Sequence, residues 1–217
     1  MRKREKRTAD QREYARLFAT WERYGPLAAL QVAKSCIVTE HACRLPALIV
    51  RGRCFTQLAR YNVWATARVL DAVRALPEEA YRRDVGLFFK SVHGTLNHLL
   101  VGEHHLWFVR FAEGISPKVA LDAELESDRA QLDARLREGA ARWAPLIASF
   151  SPERWTGTLD YTTMRGTAAS LPFAATLAHV FNHGTHHRGQ ITAALTALGQ
   201  PCPELDLVYF LQNPSKP

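Results

Sequence analysis

The sequence lacks the cysteine pattern of a disulfide framework or a zinc ribbon. It has 217 residues and four cysteines, Cys36, Cys43, Cys54 and Cys202, and no two of them form a CxxC pair. Small secreted domains and structural zinc sites depend on cysteines paired at regular spacing. The absence of such pairs fits a reducing compartment, and we therefore expect a cytoplasmic protein.

Long apolar runs are missing as well. The charged opening Met1–Arg7 has no apolar run behind it, and the apolar stretch 27–50 is broken by charged or polar residues: Lys34, Glu40, His41 and Arg44. A membrane-spanning helix needs about 20 consecutive apolar residues, and a secretory signal needs an apolar core behind its charged start. The sequence therefore predicts neither a membrane span nor a secretory signal.

An excess of one charge sign is absent from most of the chain. The net charge is +7, and residues 1–53 hold 12 Lys and Arg against 5 Asp and Glu, whereas residues 54–217 hold 16 of each. A nucleic-acid-binding protein usually concentrates basic residues on one face, but acidic residues dilute the basic segment here. We expect residues 1–53 to be a basic, weakly structured or peripheral N-terminal extension, and we expect no binding of nucleic acid.

Apolar residues recur at helical spacing in four segments that are separated by proline or glycine. These segments predict helices near 54–76, 91–113, 121–149 and 172–198. Between the third and the fourth, residues 155–167 are rich in Thr, Tyr and Gly, which favours a short β-hairpin or an extended lid. The predicted fold class is therefore all-α, an up-and-down four-helix bundle.

Histidine is concentrated in the second and fourth predicted helices. Eight of the nine histidines lie there, at 93, 98, 104, 105, 179, 183, 186 and 187. Residues four apart share one face of a helix, so His183 and His187 can offer two imidazoles to one metal ion. The Glu of an HExxH hydrolase motif is absent, because Gly184 follows His183.

A third ligand is expected from another helix. If the second and fourth helices pack antiparallel, His98 can meet His183 and His187. Three neutral imidazoles leave a coordination position open, which is typical of catalytic sites. Their ring nitrogens should then converge to about 3–3.5 Å, and metal binding should weaken as the pH falls through about 6.5. Histidines that only fill the core or an interface are the alternative interpretation.

Three motifs resemble a known family. They are LARYNVWAT at Leu58–Thr66, SVHGTLNHL at Ser91–Leu99 followed by Trp107, and HVFNHGTHHRGQ at His179–Gln190. In this order and spacing they resemble the DinB/YfiT-like family of metal-binding proteins. The resemblance covers residues 54–213, and it implies a DinB-like four-helix bundle over that range.

The resemblance also implies a ligand set. In the family, one His of the second helix and an HxxxH pair of the last helix bind a divalent metal ion. Carried over to this sequence, the ligands are His98, His183 and His187. Zinc or nickel is the expected transition metal, with iron and manganese as alternatives.

The family further implies a reaction class and partners. Its better-understood members use the metal to activate a low-molecular-weight thiol, which implies a thiol-dependent S-transferase or isomerase acting on a small-molecule substrate. A metal-dependent hydrolase and a non-catalytic, metal-binding dimeric stress protein are the alternatives. We also expect a homodimer.

Four further residues are candidates for contacts around the metal or the substrate. Asn62 could reach the mouth of the site or form a hydrogen bond between helices. Tyr161 could face a substrate or anchor its loop. His186 could support a ligand or lie on the surface, and Gln190, like Arg188, could bind an anionic group or contribute to a dimer contact.

Overall fold

The protein is predominantly helical, as the fold-class prediction stated. The computed structural model describes the backbone of residues 40–212 and the side chains of residues 51–212. The helices and strands, in chain order, are α1 (Glu40–Val73), α2 (Glu78–Arg82), α3 (Val92–Leu99), a π-helix (Leu100–Trp107), α4 (Phe108–Glu113), α5 (Arg129–Ser149), a 3₁₀-helix (Pro152–Thr156), β1 (Thr158–Thr162), β2 (Ala168–Pro172), α6 (Phe173–Ala197) and α7 (Leu207–Gln212). The described residues from Gly52 onward form one compact unit.

Two predicted helix starts are wrong. The first helix already includes Glu40, fourteen residues before the predicted start, because backbone hydrogen bonds propagate a helix whether or not its side chains form an apolar stripe. The third begins at Arg129 rather than 121, where the Asp128 carboxylate accepts a 2.8 Å hydrogen bond from the amide of Gln131. Such an N-cap satisfies an otherwise unpaired donor and so sets the start of the helix.

The predicted hairpin is present but longer than expected. Strands β1 and β2 pair antiparallel, with Thr158 opposite Pro172 and Thr162 opposite Ala168. Leu171 and Pro172, which were expected to open the last helix, therefore belong to β2, and α6 begins at Phe173. The tight turn between the strands contains Gly166 at φ +81°, a backbone conformation that glycine adopts without strain.

The second helix is not a regular α-helix. Residues 92–113 are helical throughout, but Leu100–Trp107 is π-helical. A π-turn closes i→i+5 hydrogen bonds, so it rotates the residues that follow relative to an α-helix. A Cβ at Gly102, within this segment, would lie 3.3 Å from Cε1 of His183. Glycine at position 102 therefore lets the second helix approach the fourth closely.

The core of the bundle is built from aliphatic side chains of four helices. It includes Leu70 on α1, Leu96 on α3, Leu136 on α5 and Ile191 on α6, each at most 2% exposed. Burying such a side chain stabilises the fold by about 1.5–3 kcal/mol. Within residues 40–212, no helix combines the length and the apolar composition needed to cross a membrane.

The division into residues 1–53 and 54–213 stays a prediction. Residues 1–39 and 213–217 lie outside the described part of the chain, so the predicted character of the extension is not addressed by the structure.

Two glycines in helices give a matched test of this packing. A Cβ at Gly139 would lie 2.4 Å from Cγ of the buried His104 ring, whereas a Cβ at Gly189 would meet nothing within 4 Å. We expect Gly139→Ala to lower the free energy of unfolding by about 1–3 kcal/mol through overpacking, and Gly189→Ala to raise it by about 0.5–1 kcal/mol. Urea unfolding of both variants measures these changes. Changes of the same sign would contradict the packing described.

Candidate metal centre

Three imidazoles from two helices converge on one point. His98 lies in the last turn of α3, and His183 and His187 lie one turn apart on α6. The Nε2 atom of His183 is 3.1 Å from Nε2 of His98 and 3.1 Å from Nε2 of His187. Each of the three residues offers a ligand atom within 4.8 Å of the other two. Both measured distances fall in the range expected of ligands to one ion.

Hydrogen bonds on the far side of two rings fix their tautomers. The Nδ1 atom of His98 lies 2.8 Å from the carbonyl oxygen of Leu121, and Nδ1 of His187 lies 2.7 Å from Oε1 of Gln190. Because both partners are acceptors, each Nδ1 carries the proton, and the unprotonated Nε2 faces the other imidazoles. The amide nitrogen of Gln190 in turn donates to Nε2 of the exposed His186 at 3.2 Å.

The donor set fits a cation. With Nδ1 protonated on His98 and His187, both Nε2 atoms present lone pairs to Nε2 of His183, which can donate at most one proton. At least one of the two short nitrogen contacts therefore has no hydrogen to share. A positive ion placed between the rings satisfies all three lone pairs. Metal-ligating histidines commonly hold their second nitrogen in this way, against a carbonyl or an amide.

The three rings are also held in the neutral form that metal binding requires. Burial, reinforced by repulsion from the neighbouring imidazoles, lowers the pKa of His183 to about 3. Burial lowers the pKa of His187 to about 4, and it lowers the pKa of His98 from its usual value. Protons therefore compete with a metal ion for these rings only well below pH 6.5. Metal binding should then weaken at a lower pH than the value of about 6.5 expected from the sequence.

One wall of the site is aromatic and was not found from the sequence. The ring of Phe89 stacks on His98 with centroids 3.8 Å apart and planes at 16°, and it lies 5.7 Å from His187. Lys90, which follows, has φ +67°, an uncommon conformation for a residue with a side chain. A Cβ at Gly94 would lie 2.2 Å from the carbonyl oxygen of Phe89, so glycine there permits the close turn. No periodic pattern marks these residues.

A second aromatic wall lies on the other side. The ring of Trp107 is 5.3 Å from that of His179 and 5.3 Å from that of Tyr161, which extends from β1. His179 lies one turn before His183, and their ring centroids are 5.6 Å apart. His179 does not join the three-histidine cluster. Tyr161 is partly buried and contacts the helix rather than the histidines.

Asn62 takes part in a buried network instead of reaching the mouth of the site. Its amide nitrogen donates to Oε2 of Glu103 at 3.0 Å, and its oxygen accepts a hydrogen bond from Nη1 of Arg188. The three side chains are at most 2% exposed. Burial raises the pKa of Glu103, whereas Arg188 and Asn62 act to lower it. Arg188 therefore lies inside the bundle and not at a dimer contact.

The position of the Glu103 carboxylate explains why a glycine, and not a larger residue, follows His183. A Cβ at Gly184 would lie 2.2 Å from Oε1 of Glu103, so any other residue would displace the carboxylate. Glu103 is not part of the three-histidine cluster. Glu103 could not be identified from the sequence, because no local motif connects it to residues of the first and last helices.

His104, next to Glu103, is buried without being a candidate ligand. It is 7% exposed, and its Nδ1 atom has no hydrogen-bond partner in the described part of the chain. Burial, with smaller contributions from Arg142 and Arg188, lowers its pKa to about 3. The ring therefore stays neutral in the folded protein at pH values where an unfolded chain would protonate it.

Comparison with known proteins agrees with this geometry. Residues 50–215 match the sequence model of the DinB family. The chain is 27% identical over 158 residues to Protein DinB from Bacillus subtilis (strain 168), which covers 71% of this chain and 92% of that protein. It also resembles YfiT from Bacillus subtilis, described as a probable metal-dependent hydrolase with an unusual four-helix bundle topology. The TM-score is 0.51 at 16% identity, over 76% of this chain and 91% of YfiT. The predicted resemblance and the four-helix bundle are confirmed.

The lowered pKa of His104 predicts a pH-dependent stability. The group titrates near 6.5 in the unfolded chain and near 3 in the folded protein, so its contribution is complete above pH 6.5 and is lost as the pH falls toward 3. The metal-free wild-type protein should become less stable when the pH is lowered from 7 to 5. In the His104→Leu variant this decrease in the free energy of unfolding should be smaller by about 2 kcal/mol.

Urea unfolding in the presence of a chelator measures this difference. His105→Leu, a change at the exposed neighbouring residue, is the control and should keep the wild-type difference. If His104→Leu loses as much stability between pH 7 and pH 5 as the wild type, His104 is not the titrating group.

Proposed function

The chain belongs to the DinB family, and from this premise we propose that it is a divalent-metal enzyme whose ion is held by His98, His183 and His187. The observation that carries the proposal is the convergence of three neutral imidazoles, with the unprotonated Nε2 atoms of His98 and His187 both facing Nε2 of His183. Such an arrangement leaves lone pairs unsatisfied, and a divalent cation satisfies them.

The number of ligands supports an enzyme over a non-catalytic metal protein. Structural zinc sites are closed by four protein ligands, whereas catalytic sites keep a position open. The cluster found among the described residues offers three ligands. The remaining position would open between Phe89 on one side and Trp107 with His179 on the other. Nitrogen ligands suit zinc and nickel, and they also accept iron.

We favour thiol-dependent transfer or isomerisation. A divalent ion at this site would lower the pKa of a small thiol or of water and so supply a nucleophile near neutral pH. No carboxylate belongs to the cluster in the described residues, so the site has no evident general base. A free thiol has a pKa of about 8.5, far below that of water, so a thiol needs less activation to become a nucleophile.

A metal-dependent hydrolase is the second candidate. The structural likeness to YfiT, which is described as a probable metal-dependent hydrolase, favours it. Either reaction would act on a small molecule. The expected homodimer and cytoplasmic location stay predictions, and light scattering at micromolar concentration would test the dimer.

Substitution of the ligands tests the metal site directly. We expect His183→Ala and His187→Ala to remove most of the bound metal after chelation and reloading, and Gln190→Ala to weaken binding by about 10–100-fold, because it releases the His187 ring. His179→Ala, one turn away on the same helix, is the matched control and should retain one ion per chain. Elemental analysis gives the result. One tightly bound ion in the His183→Ala protein would show that the assignment is wrong.

A cobalt-substituted protein separates the two reactions. Adding a small thiol should produce a thiolate-to-cobalt charge-transfer absorption in the wild-type protein but not in His183→Ala, because the thiol would occupy the open position. Absorption spectroscopy measures this, and assays with thiol and electrophile pairs follow it. Ester hydrolysis without any thiol band would instead favour the hydrolase.

A further inference from the structure

A second buried arginine lies near the metal centre, and no acidic residue in the described part of the chain pairs with it. Arg110 on α4 is 4% exposed. Its guanidinium lies 4.6 Å from the ring centroid of Trp107 and 4.6 Å from that of Tyr161. Its only hydrogen bond to a described residue runs from Nη2 to the carbonyl oxygen of Thr162 at 3.2 Å, and its buried Nε has no partner there.

An unpaired buried charge needs an explanation. Removing a charged group from water costs several kcal/mol, and proteins normally offset that cost with a counter-charge and hydrogen bonds. Arg188, which is equally buried, has both: Glu103 lies 3.9 Å away, and Asn62 accepts a hydrogen bond. Arg110 has two aromatic rings and one carbonyl, while a guanidinium offers five N–H donors.

The position of Arg110 connects it to the histidines. Trp107, which covers the guanidinium, also contacts His179 at 5.3 Å, and His179 contacts His183 at 5.6 Å. Arg110 therefore lies at the outer end of the aromatic wall that leads to the cluster. A ligand that reaches both Arg110 and the histidines would lie along this wall.

We propose that Arg110 is the anchor of an anion subsite that binds a carboxylate of the substrate, with the reactive group of the same molecule at the three histidines. A carboxylate carries one negative charge and can accept two parallel N–H bonds from a guanidinium. One guanidinium balances the single charge of a carboxylate, whereas a phosphate dianion would leave net negative charge in this buried position. The inference rests on the proposed function, and it adds that the substrate is a small carboxylate-bearing molecule.

The hairpin provides the route of entry. Tyr161 covers the guanidinium from β1 and is itself only partly buried. Displacement of this ring exposes the N–H donors without movement of the helices. The turn end of the hairpin is anchored, because the amide of Thr162, which pairs with Ala168 beside the turn, donates to Oγ of Ser116 at 2.9 Å.

Nuclear magnetic resonance of the arginine side chains tests the subsite in the full-length protein. With ¹⁵N-arginine labelling, succinate should shift the Arg110 Nε–H signal in a saturable manner, and neutral succinamide should not. Arg110→Gln should weaken succinate binding about tenfold or more, the effect of losing hydrogen bonds to a charged group. Arg110→Lys should give an intermediate affinity, because it keeps the charge but loses the planar fork.

Arg154→Gln is the matched control. Arg154 also lies over an aromatic ring, that of Phe173 at 4.5 Å, and donates to a hairpin carbonyl, that of Thr158 at 3.2 Å. Arg154 lies in the 3₁₀-helix that precedes β1, so its substitution removes the same charge close to the hairpin and should leave succinate affinity within about twofold of wild type. If Arg110→Gln does not fold, the signal shift in the wild type and the Arg110→Lys affinity still decide the question.

Succinate is titrated into both the metal-loaded and the metal-free protein. The carboxylate subsite and the metal site can then be rejected independently of each other. Absence of a succinate shift at Arg110 in both forms, equal shifts with succinamide, or tighter binding of inorganic phosphate than of succinate would overturn the carboxylate subsite. If the His183→Ala protein retains its metal and succinate still shifts the Arg110 signal, the subsite is supported and the assignment of the metal ligands is wrong.

Discussion

The buried contact of Arg188 with Asn62 and Glu103 is the constraint on which the arrangement of the site depends. It connects the first, second and last helices of the bundle, and each side chain is almost fully removed from water. Buried ionic groups are tolerated only when their partners are well aligned. The network therefore fixes the rotation of α6, since Arg188 points inward from the residue next to His187. Gly184 has no side chain, which leaves the space that Glu103 occupies.

With α6 fixed in this way, the histidines are forced into proximity before any ion arrives. Burial keeps His183 and His187 neutral, and hydrogen bonds to Leu121 and Gln190 orient the rings on either side of His183. The fold thus maintains closely spaced lone pairs that repel one another. A cation relieves this repulsion, so binding energy is available without rearrangement of the helices. Such preorganisation is what a metal site requires for high affinity.

The parts of the site that follow from local geometry could be predicted from the sequence. The pairing of His183 with His187 needs only the periodicity of a helix, and His98 could be suggested once the packing direction was assumed. The π-helix, Phe89 and Glu103 were not predictable in this way. Their contacts join residues that are distant in sequence, as in the separation of 126 positions between Asn62 and Arg188. The predicted helix starts at 54 and 121 were wrong because hydrogen bonding and capping, rather than apolar periodicity, decide how far a helix extends.

The two buried arginines show how one side chain can serve opposite purposes in one bundle. Arg188 has a carboxylate and an amide from its own chain, and these contacts stabilise one arrangement of the helices. Arg110 lies against two neighbouring rings and donates one hydrogen bond to a carbonyl of the described residues. Because aromatic faces attract a cation but accept no hydrogen bond in the guanidinium plane, these rings do not supply the acceptors that Arg110 lacks. The two sides of the site therefore differ. On the interior side the arginine has a carboxylate within 3.9 Å, whereas on the hairpin side the arginine has none among the described residues, which is why we place the carboxylate of the substrate there.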